Sequence, residues 1–172
     1  MNSKLPSFAF RSAEGGMAAP VALDSVDRGI LKVLQLESRI AYSDLAKQVG
    51  LSTSPCHRRV QLLENAGVIE RYAALLDPEK VDLGLTVFVR VWLENQSAAM
   101  VDRFANDIQG FPQVVECHLM AGDADFLVRV VVADLKAYRK FQTEDLARMA
   151  GVLRVKADIP LQEIKRTWEL PV

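Results

Sequence analysis

The sequence predicts an α+β protein, a three-helix unit followed by a βαββαβ unit. Three observations predict it. Apolar residues recur at helical spacing from Leu23 to Ile69, and the pattern turns strand-like after Tyr72. The later segments then alternate in the order β-α-β-β-α-β. The expected boundaries are an arm over residues 1–22, a helical domain over 23–70, a linking strand or hinge over 71–80 and a mixed domain over 81–172.

In the helical part, Asp24 is placed to cap a first helix, with Asp27 in its opening turn and Val26, Ile30, Val33 and Leu34 as its apolar stripe. A second, short helix over about Tyr42–Val49 buries Leu45, Ala46 and Val49 and stops at Gly50. A third starts near Ser52, carries Cys56, Val60 and Leu63 on one face, and ends at Asn65-Ala66-Gly67. Two helices joined by so short a turn, with a third packed against them, form a helix-turn-helix arrangement.

In the second part, Thr86–Leu93, Val114–Met120 and Asp125–Val132 are β-branched or aromatic and predict strands. Val101, Phe104, Ala105 and Ile108 mark a helix that Gly110 and Pro112 end. Asp134 caps another helix, Gly151 stops it, and "VLRVKADIPLQEI" returns as the last strand. Pro160 cannot donate to a ladder, so that strand belongs at an edge or bulges there. This order is the ferredoxin-like split βαβ arrangement. Two helices cover one face of such a sheet, so the other face predicts self-association.

Composition narrows the function classes. Half of the 172 residues are hydrophobic and the net charge is −1, which argues against a chain that coats nucleic acid by bulk positive charge. Two cysteines and two histidines, Cys56, Cys117, His57 and His118, lack metal-ligand spacing, so no metal and no cofactor are expected. Two separate thiols suit a reducing, cytoplasmic setting. No apolar run reaches the ~18 residues of a membrane span. The first 22 residues lack a signal-peptide core and read as a disordered arm, with Met17 an alternative start.

"GLSTSPCHRRVQLLENAGVIERY" carries the chemistry. Cys56, Val60 and Leu63 face inward, leaving Ser54, His57, Arg58 and Gln61 outward. Ser52 is placed to cap the helix, and Pro55 is tolerable in its first turn. Ser52, Thr53, Ser54, His57, Arg58, Arg59 and Gln61 therefore form a polar, basic helix start suited to phosphate oxygens and base edges. A solvated helix face in a protein-interaction domain is the alternative. Seven basic and six acidic residues between Val21 and Leu76 leave a net of +1, so affinity for DNA would come from several copies acting together. From Asp77 to Val172, twelve basic and fifteen acidic residues leave −3, and that half should avoid DNA.

At this breadth a family resemblance is evident. Leu23-Asp24, Asp27, Leu45-Ala46, Gly50-Leu51-Ser52, Arg59-Val60, Leu63-Glu64, Gly67-Val68-Ile69 and Leu76-Asp77-Pro78 resemble the N-terminal half of the Lrp/AsnC regulators. "AGDADFLVRV" is similar to their effector-domain motif, through Gly122, Asp125 and Phe126, and "QEIKRTWELPV" resembles the tail of the leucine-responsive branch. The resemblance covers about Leu23–Val172. It implies a DNA-binding transcriptional regulator in which a strand near Arg71–Leu75 links the domains. It also implies dimers formed through the sheets, four dimers closing into a homo-octamer, and a small effector, mostly an amino acid, near the Gly-x-x-Asp loop.

The expected effector residues are Ala121, Gly122, Asp123, Asp125, Val155 and Ala157. Gly122 would permit a positive φ and close ligand approach, and Asp123 and Asp125 would pair with an α-ammonium group. On the residues alone, "AGDA" also reads as a polar hairpin tip. Ala121, Val155 and Ala157 stand where the family often has hydroxyl residues, which favours a more apolar ligand, or none. The leading expectation is thus an effector-modulated regulator of transcription acting on double-stranded DNA. The alternative is an effector-independent, DNA-organising protein of the same architecture. An enzyme is not expected, because neither histidine has a nucleophile motif beside it.

Overall fold

The computed structural model describes residues 21–172. The arm expected over 1–22, and the alternative start at Met17, fall outside the described residues except for Val21 and Ala22. The chain divides into two compact units, one running up to Ala73 and including Thr167–Val172, the other Ala74–Arg166.

The first unit holds α1 (Ser25–Leu36), α2 (Tyr42–Gln48) and α3 (Thr53–Asn65). Asp24 and Asp27 close a reciprocal capping box: the Asp27 N–H donates to Asp24 Oδ1 at 2.8 Å and the Asp24 N–H to Asp27 Oδ2 at 3.2 Å. Ile30, Leu31, Leu45, Ala46, Cys56, Val60 and Leu63 form the core. Each fully buried aliphatic chain of this size contributes roughly 1.5–3 kcal/mol.

Glycines end α2 and α3 in the same way. Gly50, at φ +70°, lets the Leu51 N–H reach the Ala46 carbonyl at 2.9 Å and the Gly50 N–H reach that of Lys47 at 3.4 Å. Gly67, at φ +69°, repeats this with Val68 to Leu63 and Gly67 to Glu64, both 2.9 Å. Both are Schellman closures. The start of α3 departs from expectation. Ser52 occupies the N-cap position, but its side chain makes no capping bond. The third helical residue is Pro55, which lacks the N–H that an N-cap oxygen often accepts.

The unit also takes in the end of the chain. Thr167–Val172 runs without regular structure, and Val172 packs against the three-helix core. No strand forms over residues 71–75, where a linking strand was expected.

The second unit holds β1 (Leu85–Leu93), α4 (Ala98–Asp107), β2 (Val114–Leu119), β3 (Phe126–Val132), α5 (Leu135–Lys140) and β4 (Val152–Asp158). The sheet order is β2-β3-β1-β4 with every neighbour antiparallel, which is the ferredoxin-like arrangement. After α5 the helix widens into a π turn at Phe141–Asp145 and ends in a 3₁₀ turn at Leu146–Arg148. β4 lies at an edge, as Pro160 required, and stops at Asp158 before reaching it.

Alternation along β1 divides the faces. Val87, Val89, Val91 and Leu93 are buried with Phe104, Ile108, Tyr138, Phe141 and Leu146. Thr86, Phe88, Arg90 and Trp92 point the other way and are half-buried. On that second face Arg154 stacks 3.8 Å from the Trp92 ring centroid, and Arg90 pairs with Asp158 at 2.7 Å. Arg129 pairs with Glu116 at 2.6 Å and holds its carboxyl below the usual range, the hydrogen bond outweighing desolvation.

Candidate nucleic-acid interface and effector loop

The first turns of α3 present one polar surface. Ser52, Thr53, Ser54, His57, Arg58 and Gln61 are all exposed, while Cys56, Val60 and Leu63 anchor the opposite side. The anchoring fixes which side of the helix faces out, so these side chains share one face. Arg58 makes no ion pair among the described residues and presents its guanidinium to solvent.

Arg59 behaves differently from its neighbour. Its Nη1 lies 2.7 Å from both Asp24 Oδ2 and Asp27 Oδ1, so the guanidinium ties α3 to the capping box of α1. The Asp24 carboxyl is held below its ordinary value, first by the Asp27 N–H and then by Arg59. The spacing predicts Arg59 among the DNA-contacting residues, whereas the structure places its guanidinium in an intramolecular clamp. The signal was available in Asp24 and Asp27, though nothing in linear spacing shows which arginine they take.

His57 has an aromatic neighbour that the sequence reading did not single out. Tyr42, the first residue of α2, meets it edge-on with ring centroids 4.6 Å apart and an interplanar angle of 79°. Nearby, the Tyr72 hydroxyl donates to Glu64 Oε1 at 2.9 Å.

The segment Ala121–Asp125 joins β2 to β3. Ala121, Gly122 and Asp123 are exposed, and Ala124 and Asp125 are buried. Gly122 has no positive φ, so the left-handed turn expected there does not occur, and space around its Cα is open. Asp125 is turned inward. Its Oδ2 accepts from the Leu93 N–H at 2.7 Å and its Oδ1 from Gln96 Nε2 at 2.6 Å. Its own N–H donates to the Val91 carbonyl at 3.0 Å, and its carbonyl accepts from Met120 at 2.8 Å. Asp125 therefore braces the loop against the end of β1, and Gln96 is the partner that spacing did not reveal.

Val155 and Ala157 pair with Val91 and Val89 across the β1–β4 ladder and pack against the helix-covered core. Of the six residues expected to meet an effector, Ala121, Gly122 and Asp123 are the exposed ones.

Comparisons with known proteins agree with this geometry. A winged helix-turn-helix DNA-binding model matches residues 23–70, and an Lrp/AsnC ligand binding domain model matches residues 86–170. The leucine-responsive regulatory protein of Escherichia coli K12 is 39% identical over 150 residues, covering 87% of this chain and 92% of that protein. An AsnC family transcriptional regulator from Agrobacterium tumefaciens has a TM-score of 0.82 at 46% identity, covering 87% of this chain and 97% of that one. A transcriptional regulator from Neisseria meningitidis, solved in complex with L-Met, has a TM-score of 0.84 at 38% identity over the same shares. With both domains matched in order and relatives this similar along most of the chain, the protein belongs to the Lrp/AsnC family of transcriptional regulators.

Proposed function

We propose that the protein regulates transcription in the cytoplasm by docking the first turns of α3 in the DNA major groove, with an amino acid adjusting its assembly or affinity. The exposed row Ser52, Thr53, Ser54, His57, Arg58 and Gln61 carries this reading. Hydroxyls and Arg58 suit phosphates and guanine edges, and Arg59 serves as the clamp behind them. The net charge of −1 makes one copy a weak electrostatic binder, so several copies must engage neighbouring grooves.

Assembly through the uncovered sheet face supplies those copies. Phe88 and Trp92 there are half-buried in one chain, and a second sheet laid on them would complete the burial. Dimers joined further into an octamer fit the family. The relative solved with L-Met supports an amino acid as the effector, taken up beside Ala121, Gly122 and Asp123.

The test is binding of the full-length protein to its own upstream DNA and to random DNA at moderate salt. Preference for its own DNA supports the reading, and equal affinity overturns it. Arg58→Ala should weaken binding to both duplexes and reduce the slope of log K against log salt by about 1 if the side chain meets one phosphate.

The effector-independent, DNA-organising reading draws on a specific observation. Both Asp125 carboxylate oxygens already accept protein hydrogen bonds, and Val155 and Ala157 face the core. Calorimetry across the common amino acids separates the two readings: binding of one supports modulation, and binding of none favours the DNA-organising role.

A further inference from the structure

The pair formed by Tyr42 and His57 carries an inference about how this particular chain reads its site. An exposed histidine on a helix ordinarily exchanges rotamers, and ordering it at an interface costs entropy. Here the imidazole is already met by an aromatic ring from the preceding helix, 4.6 Å away between centroids and nearly perpendicular at 79°. An edge-to-face arrangement of this kind is a preferred aromatic geometry. Tyr42 belongs to α2 and not to α3, so the ring meets the imidazole from a separate helix packed in the same core.

The placement is what gives the contact meaning. His57 lies between Ser54 and Arg58 in the exposed row of α3, one turn beyond the helix start. Among the described residues no protein group hydrogen-bonds its imidazole. Tyr42 stands beside that row without belonging to α3. A ring oriented from the side, with its nitrogens unspent, is prepared to bond something that arrives from outside.

We propose that Tyr42 and His57 form one base-reading element, in which Tyr42 is a positioning residue and the His57 ring N–H donates to N7 of a purine in the major groove. This rests on the docking of α3 proposed above. Purines expose the N7 acceptor on that edge and pyrimidines do not, so the element distinguishes purine from pyrimidine at one position of one strand. Because a rotamer selected before binding loses less freedom on binding, the gain lies in discrimination at that position more than in overall affinity.

The experiment measures the base preference of the full-length protein on a pool of duplexes selected by wild type, then on single-base variants of the selected site. His57→Ala should reduce purine preference at one position by about five- to tenfold, the scale of one hydrogen bond. Tyr42→Ala should reduce it at the same position by about two- to fourfold, and Tyr42→Phe, which keeps the ring, should restore it. Melting curves of each variant report any loss of folding separately, and a general loss would not be confined to one base position.

An unchanged preference profile in Tyr42→Ala, or a change spread evenly over all positions, overturns the proposal. Arg58→Ala distinguishes this from failure of the interface itself. If Arg58→Ala weakens every duplex while the histidine and tyrosine variants keep the wild-type profile, docking by α3 stands and the reading element falls. If neither Arg58→Ala nor His57→Ala alters binding, the docking reading falls and takes the element with it.

Discussion

The Gln35 side chain grips Leu170 by both of its backbone groups. Its Oε1 accepts from the Leu170 N–H at 2.5 Å, and its Nε2 donates to the Leu170 carbonyl at 3.2 Å. A side-chain amide presents one donor and one acceptor side by side, which matches the two groups of an extended residue. Two residues further on, Val172 reaches the three-helix core. The end of the chain is thus a working part of the helical unit.

Gln35→Ala removes both bonds, and we expect a loss of about 1 kcal/mol, the usual net worth of exchanging such bonds for water. Removing Leu170–Val172 should cost more, because packing of Val172 is lost as well. Thermal unfolding of the full-length protein checks both, and a truncated chain as stable as wild type would show that the contact contributes nothing.

The Arg59 clamp makes the stability of the helical unit depend on pH. Asp24 has an ordinary value of 3.8 and a lower one in the folded state, set by the Asp27 N–H first and Arg59 second. A depressed carboxylate contributes stability that is fully present above 3.8 and is lost as pH falls through the lower folded value. Arg59→Gln should therefore lower the melting temperature at neutral pH and lose less on acidification than wild type does. Melting curves followed from neutral pH to below 3.8 would show the gap between the two narrowing.

Asp125 is buried and its two oxygens satisfy the Leu93 N–H and the Gln96 amide. Asp125→Ala strands a buried backbone donor, so we expect a loss of about 2 kcal/mol from the sheet unit. Asp125→Asn keeps one acceptor and should lose less. If an amino acid binds the neighbouring loop, both variants should weaken it through the altered loop position, which calorimetry reports alongside the melting temperature. Wild-type stability in Asp125→Ala would remove the bracing role.

Gly151 has φ +84°, and a Cβ there would run into the Met100 thioether. Gly151→Ala should cost roughly 1–3 kcal/mol, the range for a side chain held in the left-handed region. Shortening the neighbour tests the cause. Met100→Ala itself removes a side chain packed against the core, so the effect of Gly151→Ala is compared in the Met100→Ala background. There it should be smaller but not vanish, because the backbone strain remains. No loss from Gly151→Ala in that background, measured by denaturant unfolding, would assign the whole effect to the collision.

Much of the architecture was legible because it is written in local chemistry. Asp24 with Asp27, Gly50 and Gly67 mark helix ends by rules that involve only a few neighbouring residues, and the structure places the ends there. The helical run expected to stop at Gly151 instead ends at Arg148, and Gly151 sits in the turn into β4. The β-branched and aromatic run Thr86–Leu93 is a strand as its composition predicts, and the structure then divides it into a buried Val87, Val89 and Val91 face and a Phe88, Arg90 and Trp92 face. The outward row on α3 followed from its inward one.

Partner choice was decided by tertiary structure. Arg58 and Arg59 are adjacent and chemically identical, yet the turn of the helix aims one at solvent and the other at two carboxylates more than thirty residues away. Asp125 is expected at an effector because it matches the family's Gly-x-x-Asp motif, which does not show where its carboxylate points. Packing against the end of β1 turned it inward to Leu93 and Gln96. Ser52 lost its capping bond to the choice of Pro55, a local effect that spacing did contain. Gln35 and Leu170, 135 residues apart, meet only because the chain returns to the unit in which it began. Local sequence sets the period and the ends of each element, and which distant side chains come to share a hydrogen bond is settled by how those elements pack.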